Sequence, residues 1–279
     1  MRRLDVVDRD GGSEAGDPFA AAARELERRV AEHDGIRSSE EFQSELTYGR
    51  RLMIDFVTAV RACNLAFTRY PHADEWLLCA TADEIIESSA GIGALAADGV
   101  FSPGRRELRY MLEAVVKAIY CDQALPGDAS RAERIAWVSE TSNVPRSSVD
   151  VIDKVQLRLV ADPLSFRHAV ANLFGSLSGY THVSKNQMEE RLRRFERGEF
   201  IGFEQPRTLR AFNKVIASAY DVILALVFEG VGPAFAGDVF VQLLDADPGW
   251  KFHRGRYVKE VSARFDYKLE RKRGDADIP

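Results

Sequence analysis

The sequence predicts an all-α protein, an irregular multi-helix bundle. Three observations carry that reading. Apolar residues recur at helical spacing along most of the chain, and Ser or Asp stands ahead of several such runs as a cap. No run alternates apolar and polar residues beside a hairpin turn. No repeat of fixed period breaks the pattern.

Residues 1–16 carry Gly, Asp, Arg and Ser with almost no apolar content, and are expected to form a disordered tail. Asp17 and Pro18 suit the N-cap and first position of a helix that is expected to stop at Gly35. "SSEEFQSELTYGRRLMIDFVTAVRACNLAFTRYP" has a serine cap, then Phe42, Leu46, Met53, Phe56, Val57 and Val60 at helical spacing, and ends at Pro71. The third helix runs through Trp76, Leu77, Ala80, Ile85 and Ile86 and is expected to end at Gly91 and Gly93. In "PGRRELRYMLEAVVKAIYCDQ", Leu108, Met111, Leu112, Val115, Val116 and Ile119 form one apolar face.

Residues 125–150 are more polar and hold Pro126, Gly127 and Pro145, a candidate seam between two lobes of one helical domain over 17–272. Asp162 and Pro163 open another helix, with Phe166, Val170, Leu173, Phe174 and Leu177 on one side. Further helices are expected at about 184–197, 206–229, 233–245 and 253–272, followed by a flexible C-terminus at 273–279.

Composition bounds the function. Of 279 residues, 46% are hydrophobic and 29% charged, the balance of a soluble globular chain. A net charge of −5 argues against a protein built mainly to coat nucleic acid. Cys63, Cys79 and Cys121 are odd in number and widely spaced, so buried free thiols in a reducing cytoplasm are expected. No apolar run follows the first basic residues, so no signal peptide is expected. "VIASAYDVILALVF", residues 215–228, falls short of the roughly 20 residues of a membrane span and carries Asp221; a buried central helix is expected instead.

Most short motifs fail their context. "GSLSG" has Leu177 where a nucleophile elbow needs Ser, and no strand precedes it. "GIGALA", residues 91–96, follows a helix rather than a strand, so a helix end is expected and no cofactor. The residues three before each histidine are Val30, Arg69, Ser165, Gly179 and Trp250; none is acidic, so no di-metal site and no metal are expected. Glu84 and Glu87 share a helix face, but no acidic pair answers them from residues 105–121. Asp221, apolar on all sides, must be neutral, paired or strongly hydrogen-bonded; pairing with a base from another helix is expected.

Two features remain. The segment "WKFHRGRYVKEVSARFDYKLERKR" has a basic outer face, and Arg256, Lys259, Arg264 and Lys268 are candidates for binding phosphate, RNA or an acidic partner. In "GSLSGYTHVS", residues 175–184, Gly179 is expected to end one helix and Ser184 to cap the next, with Gln187 at its third position. Tyr180 and His182 would then project from the turn and reach a neighbour such as Glu113 or Asp221.

"RRELRYMLEAVVKAIYCDQ" and "FGSLSGYTHVS" together resemble all-helical prokaryotic families near the HEPN-like group. Arg109 and Glu113 match their Arg-x-x-x-Glu helix; Leu177, Ser178, Tyr180, His182 and Ser184 match their later Leu-Ser-x-Tyr-x-His segment. The resemblance covers about a tenth of the chain and implies a link to toxin or phage-defence systems. The Arg-then-His spacing of HEPN ribonucleases is met by Arg28 and His33, on the first helix. The leading expectation is a cytoplasmic helical interaction or regulatory protein, with a protein partner or self-association. The alternatives are a metal-independent ribonuclease using Arg109, Glu113, Tyr180 and His182, and an RNA- or phosphate-binding module.

Overall fold

A computed structural model describes residues 17–140, 142–144, 148–181, 184–199 and 202–265. The described residues form eleven α-helices and three 3₁₀ helices, with no strand among them. In chain order the α-helices are α1 (Pro18–Ser38), α2 (Glu40–Phe67), α3 (Leu77–Ala97), α4 (Phe101–Ala124), α5 (Arg131–Ser139) and α6 (Ser148–Ile152). They continue with α7 (Pro163–Ser178), α8 (Lys185–Glu196), α9 (Pro206–Val231), α10 (Pro233–Gln242) and α11 (Arg256–Ser262). The expected tail at 1–16 and C-terminus at 273–279 lie outside the described residues.

Local caps start several helices where the sequence places them. Asp17, Ser39, Asp162 and Ser184 each accept a backbone N–H of the first turn they precede, and Ser130 does the same for α5, a helix the spacing did not mark. Other boundaries move. α1 continues past Gly35 to Ser38, and α3 continues through Gly91 and Gly93 to Ala97. A helical glycine costs only about 1 kcal/mol, which packing of α3 against α4 and α2 readily offsets. Gly99, at φ +69°, then reverses the chain into α4 with a Schellman pair: Val100 donates to the Leu95 carbonyl and Gly99 to that of Ala96.

The centre of the bundle is α9, packed against α2, α4, α10 and α11. It is long and apolar enough to cross a membrane, yet from Ala219 to Glu229 every residue is buried within the protein. Tyr220 stacks on Phe56 at 4.0 Å and shares a 2.7 Å hydrogen bond with Ser89 of α3. Phe212 meets Phe101 at 5.0 Å, and Phe228 meets Phe240 at 4.6 Å. Val144, Val151 and Ile152 belong to the same hydrophobic core as Leu112 and Phe228, so one core runs across the 125–150 segment.

Buried carboxylates tie distant elements together. Several elements start without a side-chain cap of their own, among them α3 after Trp76, the 3₁₀ helix Lys251–Arg254 after Trp250, and α11 after Gly255. For these three a carboxylate comes from elsewhere in the fold. Asp122 of α4 accepts from Leu77 and Leu78 N–H at 3.0 and 2.9 Å, and Asp55 of α2 accepts from Lys251 N–H at 2.7 Å. Asp221 serves α11 in the same way. Glu229 accepts three backbone N–H groups, of Arg158, Leu159 and Val160, at 2.7–2.8 Å.

Candidate functional site

The residues singled out by sequence meet where α4, the end of α7 and the start of α8 converge. α4 presents Arg105, Arg109, Glu113 and Lys117 one turn apart along one side, as the four-residue spacing dictates. Arg109 lies over the Phe174 ring of α7, 4.7 Å from its centroid, and donates from Nη1 to Thr181 Oγ1 at 3.3 Å. Its Nη2 stands 3.8 Å from Glu113, whose other oxygen accepts from Lys117 at 2.6 Å. Arg105 lies 4.3 Å from the Tyr180 ring centroid and pairs with Glu190 of α8 at 3.3 Å.

Tyr180 donates its phenol O–H to Glu190, not to Glu113 or Asp221. Burial first, and then that bond, push its pKa up to about 12, so the phenol stays protonated. The turn itself is built from local bonds: Ser178 Oγ donates to the Phe174 carbonyl, Thr181 Oγ1 to that of Ser178, and Ser184 Oγ to that of Gly179. Gln187 N–H donates to Ser184 Oγ at 3.1 Å, the expected cap of α8. His182 lies outside the described residues. Three of the four candidates, Arg109, Glu113 and Tyr180, are thus gathered at one junction, but Tyr180 and Glu113 engage different partners there.

Asp221 is buried as expected but has no basic partner among the described residues. Its two oxygens each accept a backbone N–H at 3.0 Å, from Tyr257 and Val258, at the start of α11. Burial raises its pKa and these bonds partly oppose the rise. The expected base is replaced by a helix terminus, whose orphan N–H groups favour a carboxylate.

The expected basic helix over 253–272 is also different. A 3₁₀ turn ends at Arg254, and α11 spans only Arg256–Ser262. Arg256 donates to Ser165 Oγ, and Arg264 donates to the carbonyls of Leu159 and Val160, so both spend their guanidinium groups on the protein itself. Lys259 is exposed, and Lys268 lies outside the described residues.

Arg28 and His33 do not act together. Arg28 pairs with Glu25 and Glu32 at 2.8 and 3.1 Å. His33 is buried beside Phe203, its Nε2 3.2 Å from the Glu204 carbonyl oxygen. Glu204 in turn receives Arg37 at 3.1 Å and fixes α1 to the bundle. Glu84 and Glu87 line a groove with Glu107 and Tyr110 of α4, a neighbour the spacing could not reveal. Tyr110 donates to Glu84 at 2.6 Å, and Ser88 to Glu107 at 3.2 Å. Among the described residues no cluster of His, Cys, Asp and Glu is arranged to hold a metal ion. Cys63 and Cys121 are buried free thiols, with burial raising Cys121 to about 12; Cys79 is half-buried and donates to Asn64.

No family model matches the chain, and no curated protein or solved structure is similar to it. Function therefore rests on the geometry alone.

Proposed function

We propose that the protein is a helical interaction module with a regulatory role in the cytoplasm, docking a protein partner through α1 and α8. The observation behind this is a set of large apolar side chains turned to solvent on these two helices. Phe19 is 83% exposed and Leu26 56%, on one face of α1 with Val30. Met188 and Leu192 lie one turn apart on α8, and Leu192 is 62% exposed. The helices adjoin: Arg28, Arg29 and Ile36 of α1 line a small cleft with Arg197 and Gly198, just beyond α8. Apolar residues scattered singly are ordinary, but a row of them on each of two adjoining helices fits a partner's surface.

Photo-crosslinking in native lysate tests this, with the crosslinker at Leu26, at Leu192 and at Glu87 on the far groove as control. One discrete adduct shared by positions 26 and 192 and missing at 87 is expected. Uncrosslinked protein at both test positions would overturn the reading.

One observation favours a second reading, ribonuclease action of the HEPN type. The Arg109–Thr181 contact brings the Arg-x-x-x-Glu helix against Thr181, the residue before His182 in the sequence. RNA cleavage by the same purified protein, lost on His182→Ala, would move the assignment to this reading.

A further inference from the structure

The outer face of the α2–α3 pair is turned to solvent and carries charges of opposite sign on its two helices. On α2, Arg50, Ile54, Arg61 and Leu65 share one exposed side, at steps of four and seven residues. Ile54 is 47% exposed and Leu65 73%. On α3 and its C-cap the exposed row is Asp83, Glu87, Ala90, Ala94 and Asp98. None of these five charged groups has an ion pair among the described residues. One row is basic with large apolar side chains, and the other is acidic with small ones between the charges.

The heights of the two rows match. α2 and α3 run antiparallel, with the Met53 sulfur packed on Gly93 and Cys79 donating to Asn64 at 2.8 Å. That register sets Arg50 level with Ala94, Ile54 with Ala90 and Gly91, Arg61 with Asp83, and Leu65 with Ala80. A two-fold axis parallel to both helices preserves height and lays α2 of one copy over α3 of another. Ile54 then seats between Ala90 and Ala94, whose short side chains admit it. Arg61 falls between Asp83 and Glu87, and Arg50 reaches Asp98 one turn on. Each contact occurs twice, because the operation is symmetric. The area suffices as well. α3 has 21 residues, about 30 Å of helix, and an adjoining pair of helices is about 20 Å wide. That footprint is about 600 Å² per copy, or about 1,200 Å² in all, against the roughly 1,000 Å² that a specific interface needs.

We infer that the α2–α3 face binds a second copy of this chain, in an isologous dimer with α2 of each copy across α3 of the other. The face is separate from the α1 and α8 surface, so neither assignment depends on the other. A crosslinker at Glu87 reports this second copy, not the adduct shared by positions 26 and 192.

Sedimentation velocity of the full chain is expected to show a concentration-dependent shift from the 31.2 kDa monomer to a dimer. Arg61→Glu alone and Glu87→Arg alone each set like charges against one another at both symmetric contacts. Each is expected to weaken the dimer about a hundredfold, with the fold intact by circular dichroism. An equimolar mixture of the two variants is expected to dimerise again, because in the mixed pair both contacts join opposite charges. Ile54→Asp, from an exposed position, tests the apolar contact and is expected to dissociate the dimer without altering the core. A chain still monomeric at about 100 μM, a dimer indifferent to these substitutions, or two charge variants that fail to recombine would overturn the inference.

Discussion

At the scale of single residues, Asp221 shows how backbone N–H groups can hold a buried carboxyl. Both oxygens are committed to backbone N–H groups of α11. Asp221→Ala uncaps that helix and strands the two donors, and is expected to lower stability by about 2–3 kcal/mol in urea melts. Asp221→Asn rescues little, because its amide nitrogen must face one of the two N–H donors. The pH dependence has a definite sign. Burial lifts the carboxyl above its ordinary 3.8, so the folded protein holds this proton more tightly than the unfolded chain. The associated stability is fully present below 3.8 and is lost as pH rises through the elevated value. The wild type should therefore lose more stability than Asp221→Asn over that interval, with Asp122, shifted the same way by burial, leaving a residual slope in both. Sequence could mark Asp221 as buried, since its neighbours are apolar. It could not name the partner, because every residue type but proline carries a backbone N–H, which leaves no signature.

At the scale of elements, the same limit explains which helices were legible. Those with their own caps and an apolar stripe, α2, α7 and α8, start within a residue or two of where spacing puts them, and α4, uncapped, does so on its apolar stripe alone. α3 and α11 do not advertise their starts, because their caps come from other helices. The C-terminal stretch, read as one helix from 253, breaks at Gly255, where the chain enters α11 under the Asp221 carboxylate. For α3 the cap is itself supported. Arg134, fully buried on α5, pairs with Asp122 at 3.1 Å and donates to the carbonyls of Pro126 and Ala129. Arg134→Ala leaves Asp122 buried without its cation and is expected to cost about 3–5 kcal/mol by thermal or urea unfolding. Arg134→Lys should recover only part of that, since an ammonium cannot span the acceptors that the planar fork reaches.

At the scale of the whole molecule, long-range placement decides what sequence can show. The junction of Arg109 with the 178–181 turn joins residues 72 positions apart, and a motif resemblance pointed to both ends of it. The close approach of α9 to α2 had no such pointer: Gly49 and Asn213 are ordinary in sequence, and only the fold lays the Asn213 amide against the α2 backbone, where its Nδ2 donates to the Glu45 carbonyl. The span of these contacts also has a temporal consequence. Asp55 holds Lys251 across 196 residues, and the same carboxylate pairs with Arg51 while its carbonyl receives Trp250. Closing a loop of that length precedes any gain from the contact, whereas the helical hairpin of α3 and α4 closes locally. The C-terminal segment is therefore expected to dock after the rate-limiting barrier has been crossed. In stopped-flow chevrons, Asp55→Ala should accelerate unfolding and leave the refolding limb in place, a φ-value near zero. A slowed refolding limb would instead put the two ends of the chain together in the folding nucleus.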